Sequence, residues 1–124
     1  YILAAEDNEL NAEILMELLK MAGAECDWVE NGQRALERFE ESAPDKYDMI
    51  LMDVQMPVMD GYEATRRIRS CPHPRAKDIP IIAMTANAFS EDVRDALEAG
   101  MNEHVAKPVD MDRLKAAVKQ LLER

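Results

Sequence analysis

At 124 residues the chain is sized for one domain, 1–124, that buries roughly 65–70% of its unfolded surface without needing staples. Hydrophobic residues make up 48% and charged residues 32%, a profile that excludes intrinsic disorder. The net charge of −10 argues against direct contact with nucleic acid or an anionic membrane, and no apolar run approaches the ~20 residues that span a bilayer. Cys26 and Cys71 lack metal-type spacing and suit a reduced, cytoplasmic setting. The chain opens at Tyr1, without an initiator methionine and directly in an apolar run, so it is expected to be a piece of a longer protein.

The run from Tyr1 to Ala5 predicts a first strand that ends in Glu6-Asp7. From Asn8 to Ala22, apolar residues at Leu10, Ile14, Leu15, Leu18, Leu19 and Ala22 have helical spacing, and Gly23 closes the helix. Glu25 to Val29 alternates and predicts a half-buried edge strand. Asn31-Gly32 turns into a helix to about Glu41, with Ala35, Leu36 and Phe39 facing inward. The third strand, Tyr47 to Asp53, carries four apolar residues in a row, Met49 to Met52, and stops in a carboxylate, and Pro57 and Gly61 mark the loop that follows. Asp60 with Glu63 predicts a capping box for a helix to about Ser70, which Cys71-Pro72-His73-Pro74 breaks into a solvated loop. Pro80 to Met84 is a fourth strand ending in Thr85, and Ser90 caps a helix to Ala99 that Gly100 ends. Glu103 to Ala106 is a fifth strand ending in Lys107-Pro108, and Asp110 caps a last helix with an apolar stripe of Met111, Leu114, Ala117, Val118, Leu121 and Leu122.

Strands alternating with helices predict an α/β domain whose parallel sheet is covered on both faces. In such a sheet the C-terminal strand edges line the ligand crevice, centred where the strand order reverses. If the order is 2-1-3-4-5, Glu6, Asp7 and Asp53 converge there, flanked by Thr85 and Lys107. Three crowded carboxylates repel one another, and a hard divalent cation resolves that repulsion: Mg²⁺ takes carboxylates, waters and phosphate oxygens. Lys107 can pair with a carboxylate or a phosphoryl group, and Thr85 can donate a hydrogen bond to one. Asp53 is left as the nucleophile, since carboxylates attack phosphorus to give aspartyl-phosphate. Each residue alone has a plain structural reading, as strand end, helix cap or surface lysine; their coincidence at neighbouring strand ends argues for a site.

Glu6-Asp7-Asn8, the run from Met52-Asp53 through Gln55-Met56-Pro57 to Asp60-Gly61, Thr85-Ala86 and Lys107-Pro108 resemble a response-regulator receiver domain of two-component signalling. The likeness covers essentially the whole chain and implies a flavodoxin-like (βα)5 fold. It implies phosphorylation of Asp53 by the phosphohistidine of a histidine kinase or histidine phosphotransfer domain. It implies Mg²⁺ held by Asp7, Asp53 and the main-chain carbonyl of Gln55, with Glu6 acting through water. Asn11 and the Met-Pro-Val-Met-Asp-Gly run are most similar to receivers fused to hybrid sensor histidine kinases, which would place the domain on the cytoplasmic side of a membrane-bound sensor. The family's switch pairs the threonine with an aromatic residue three positions before the lysine; here that position is His104, which puts the usual coupling in doubt. The donor should meet Asn8, Asn11, Met56, Pro57, Ala86, Asn87 and Pro108. Receivers also pair as homodimers through the fourth helix, fifth strand and fifth helix, which the residues here do not decide.

Other functions fit less well. A Mg²⁺-dependent small-molecule phosphatase or phosphotransferase working through the same aspartate would want an acid two residues later, where Gln55 stands. A flavin or nucleotide binder would want a Gly- or Ser/Thr-rich loop after the first strand, where Glu6-Asp7-Asn8-Glu9 would repel phosphate. A degenerate receiver that only binds would not need the intact acids, Thr85 and Lys107.

Overall fold

Five parallel strands form one sheet in the order β2-β1-β3-β4-β5. The computed structural model describes residues 1–21, 23–44, 46–54, 56, 58–85, 90–106 and 112–116. The strands are β1 (Ile2–Ala5), β2 (Cys26–Val29), β3 (Met49–Asp53), β4 (Ile81–Thr85) and β5 (Glu103–Ala106). Between them run α1 (Glu9–Met21), α2 (Gly32–Glu41), α3 (Gly61–Ser70) and α4 (Ser90–Ala99), and residues 112–116 are helical. The expected architecture is therefore present, with the first four strands starting one or two residues later than expected and the fifth starting at Glu103 as expected. The expected last-helix residues Asp110, Met111, Ala117, Val118, Leu121 and Leu122 lie outside the described residues.

Alternation along the central strands divides the core into two layers. Leu3, Ala5, Ile50, Met52, Ile81 and Ala83 meet Ala35, Leu36 and Phe39 of α2, Ala64 and Ile68 of α3, and Ala96 of α4. Ile2, Ala4, Met49, Leu51, Ile82 and Met84 meet Leu15 and Leu19 of α1 and Leu114. With both faces covered, β1, β3 and β4 are buried at every position. That is why they read as unbroken apolar runs, whereas β2, at the sheet's edge, is only half-buried.

Three local readings change. In α1 the buried residues are Ala12, Leu15 and Leu19, while Leu10 and Ile14 are 65% and 50% exposed. Two apolar stripes lie side by side on this helix, and periodicity alone does not say which one the sheet takes. The capping box before α3 is half made: the Asp60 carboxylate accepts from the Glu63 N–H at 2.9 Å, but the Glu63 carboxylate turns to Arg66 and Arg67 at 3.2 and 3.0 Å. His73 is not a solvated loop residue. Its ring lies 4.2 Å from that of Phe39, its Nδ1 accepts from the Arg75 N–H at 3.0 Å, and its Nε2 lies 3.0 Å from the Ser42 carbonyl. A ring nitrogen that accepts carries no proton, so Nε2 is the donor to Ser42, and the imidazole clasps the end of α2 to the loop after α3.

Candidate functional site

The register sets which strand ends meet. Ala5 pairs with Met52 and Asp53 with Met84, so the residues that end β1, β3 and β4 share one edge of the sheet. Here the chain order reverses, since β1 lies between β2 and β3. Glu6, Asp7 and Asp53 each offer a carboxylate oxygen, and these three oxygens lie within 4.8 Å of one another. Glu6 and Asp53 are each only 2% exposed and Thr85 4%, while Asp7 faces solvent. Among the described residues this is a cluster of hard oxygen donors, open on one side, with no nitrogen or sulfur ligand in it.

Several short-range features hold the pocket in shape. The Asn8 N–H donates to a Glu6 carboxylate oxygen at 3.2 Å, and the Asn8 side chain accepts from the Asn11 N–H at 3.0 Å, capping α1. The Trp28 indole N–H donates to the Glu6 carbonyl at 2.8 Å, locking the main chain between the first two acids. This bond is a positioning feature the sequence reading missed; the register pair Ala4 with Trp28 is what brings the ring beside Glu6. At the end of β3, a Cβ on Gly61 would meet the Asp53 carbonyl oxygen and come within 2.9 Å of the Val54 Cα. Glycine there lets α3 start directly against the strand that carries Asp53, and its N–H donates to the Val54 carbonyl at 3.2 Å.

The sequence-derived residues divide as follows. Glu6, Asp7 and Asp53 come together as expected. Thr85, the last residue of β4, is buried and pairs with Ala106 of β5. His104 pairs with Ala83, is about one-third exposed, and turns its Nδ1 to within 3.6 Å of the Glu103 carboxylate. Asn8 and Asn11 are exposed, and Met56 is partly buried against the core layer of α2 and α3. Gln55, Pro57, Ala86, Asn87, Lys107 and Pro108 lie outside the described residues.

A doubly wound sheet with an acidic, cation-competent pocket at its reversal point defines a class of phosphoryl-transfer modules in which an aspartate ends the central strand. Residues 2–119 match the response regulator receiver domain, and the chain belongs to that family. It is 38% identical over 122 residues to hybrid signal transduction histidine kinase L of Dictyostelium discoideum, covering 96% of this chain and 7% of that protein. It is 37% identical over 118 residues to sensor protein GacS of Pseudomonas syringae pv. syringae, covering 94% of this chain and 13% of that protein. The chain thus spans a small part of the curated relatives it matches. Among solved structures it superposes with a TM-score of 0.87, at 37% identity and over 99% and 97% of the two chains, on the receiver domain of a sensor histidine kinase from Pseudomonas aeruginosa. That structure holds a magnesium ion coordinated in its active site cleft. The chain is a receiver of two-component signalling, the phosphoacceptor part of a phosphorelay.

Proposed function

We propose that Asp53 is the phosphoacceptor, and that it takes its phosphoryl group from a phosphohistidine on a histidine kinase or histidine phosphotransfer domain. The observation that carries this is the meeting of three carboxylate oxygens within 4.8 Å of one another around an aspartate that is 2% exposed. Burying two carboxylates beside a third is costly unless positive charge joins them, so the pocket is suited to a cation and then to phosphate. Glu6, Asp7 and Asp53, with the Gln55 main-chain carbonyl, are the residues that would hold Mg²⁺. Bound there, the ion would supply charge neutralisation for the acids and the incoming phosphoryl oxygens. The magnesium in the cleft of the Pseudomonas aeruginosa receiver supports this assignment.

In the transfer, an Asp53 oxygen bonds to phosphorus as the P–N bond to the donor imidazole breaks, and that bond's electron pair returns to the nitrogen. Buried Thr85 donates its hydroxyl to a phosphoryl oxygen, and Lys107 pairs with the added negative charge. Phosphorylation then biases β4 and α4 between two arrangements through Thr85, with His104 next to the moving element. The chain works as the receiver part of a hybrid histidine kinase or of a response regulator.

The test is labelling from a phosphorylated histidine donor. Asp53→Asn should abolish it while the variant's circular dichroism matches the parent's. Labelling of that variant at the parent rate would reject the assignment.

A further inference from the structure

Trp28 is the chain's sole tryptophan, and it belongs to neither layer of the core. Its ring is only partly buried and borders a groove beside α2 whose other walls carry the charged side chains of Glu30, Arg34, Glu37 and Arg38. A large aromatic in such a place gains little from burial. What it gains is a partner for its indole N–H, the Glu6 carbonyl at 2.8 Å. Glu6 closes the ladder between β1 and β2, its N–H donating to the Val29 carbonyl at 3.0 Å, and α1 begins only at Glu9. The Glu6-Asp7 peptide is therefore the first beyond the sheet, and it joins two of the three acids. Rotating that peptide takes its carbonyl off the indole and swings the exposed Asp7 relative to Glu6. Repulsion among carboxylates whose oxygens lie within 4.8 Å of one another favours such a rotation, and the indole opposes it.

We propose that Trp28 is a positioning residue for the divalent cation: its indole N–H holds the Glu6-Asp7 peptide so that the acids are gathered before the ion arrives. The inference rests on reading Glu6, Asp7 and Asp53 as the Mg²⁺ site and Asp53 as the acceptor. Trp28 acts through the main chain, from the edge strand β2, and not through a ligand atom. Ligands held in place lose less freedom when the ion binds, so the bond shows itself as affinity. Once the ion is bound, its own attraction keeps the acids together, and the indole adds little to the transfer. Losing the N–H therefore raises the magnesium concentration the domain needs and leaves the rate at saturation unchanged.

A single tryptophan makes the test site-specific, because the chain can be produced with a tryptophan analogue in its place. Benzothienylalanine keeps the bicyclic shape and puts sulfur where the N–H was; a ring-fluorinated tryptophan keeps the N–H and is the control. Trp28→Phe removes the N–H by mutation and gives a second route to the same loss. Magnesium affinity is read by calorimetry, and labelling from acetyl phosphate is followed against Mg²⁺ concentration. The benzothienyl chain and Trp28→Phe should each bind Mg²⁺ about tenfold more weakly and need correspondingly more of it for half-maximal labelling. Their maximal labelling rates should stay within about twofold of the parent, and the fluorinated chain should match the parent in both readouts. Parent-like magnesium affinity in either chain lacking the N–H would overturn the inference. So would equal weakening in the fluorinated chain, or labelling that stays slow at saturating Mg²⁺. An unsubstituted chain that binds Mg²⁺ but takes no phosphoryl group would remove the Asp53 reading and leave the affinity comparison to decide Trp28. One that binds no Mg²⁺ would remove the cation reading and this inference with it.

Discussion

Single residues at this site act mainly by shaping the space around Asp53. Gly61 is the sharpest case, because any Cβ there collides with the carbonyl of the acceptor residue. Gly61→Ala should cost about 1–3 kcal/mol in urea unfolding and move the acceptor carboxylate, slowing phosphorylation as well as destabilising the fold. Trp28 is the chain's sole tryptophan, and its indole is bonded to the Glu6 main chain, so it reports on the acid cluster. Titration with Mg²⁺ should change Trp28 fluorescence in a saturable way, and Asp7→Asn should weaken the apparent affinity at least about tenfold. A fluorescence signal blind to magnesium would contradict the cation reading.

At the scale of elements, the strands were legible because burial on both sheet faces forces unbroken apolar runs, and the strand ends were legible because charge interrupts those runs abruptly. Helix α1 was less so, since Leu10 and Ile14 sit on a stripe next to the one the sheet uses. Tertiary ties through polar side chains left even less trace. Arg69, near the end of α3, donates to the Gly100 carbonyl through Nε and Nη2 at 3.0 and 2.8 Å, to Ile79 at 2.7 Å, to Ala76 at 3.2 Å and to the Asn102 side chain at 2.8 Å. One guanidinium thus fastens the start of β4 and the turn into β5 to α3, and no periodicity encodes it. Arg69→Met should cost about 2–4 kcal/mol, because several carbonyls lose their donor at once. Arg69→Lys should recover little, since a point charge cannot span the same fork of acceptors. Full recovery by lysine in a urea melt would show that charge alone, and not geometry, fixes these turns.

Over the whole molecule, charge and ionisation set the working range. Among the described residues, no helix is long and apolar enough to cross a membrane, and the net charge is −10. Burial pushes the Cys26 thiol up from about 9.0 to about 11, with the Asp27 charge adding to the effect. Burial likewise raises the Tyr47 phenol, which donates to Asp27 at 2.7 Å. Between pH 9 and 11 the unfolded chain therefore holds fewer protons than the folded one, and stability must fall as pH rises through that window. Urea midpoints should drop from pH 8 to pH 10.5, and Cys26→Ala should flatten part of that slope; an identical slope in the variant would exclude the thiol as its source. The same burial makes Cys26 a slow target for alkylation at pH 8, where its thiolate is scarce.

The charges at the strand ends were legible in the sequence, but the three acids converge only through the strand order, which the alternation of strands and helices does not by itself dictate. The partners of those acids depended on register, which places Trp28 beside Glu6 and Thr85 beside Ala106. The account stands most directly on where acetyl phosphate leaves its phosphoryl group. The measurement is peptide mapping by mass spectrometry after reduction of the acyl phosphate, with Mg²⁺ and with EDTA. One phosphoryl group on the peptide containing Asp53, formed at least about tenfold more slowly in EDTA, is the predicted result. A label on another residue, or a rate indifferent to EDTA, would contradict it.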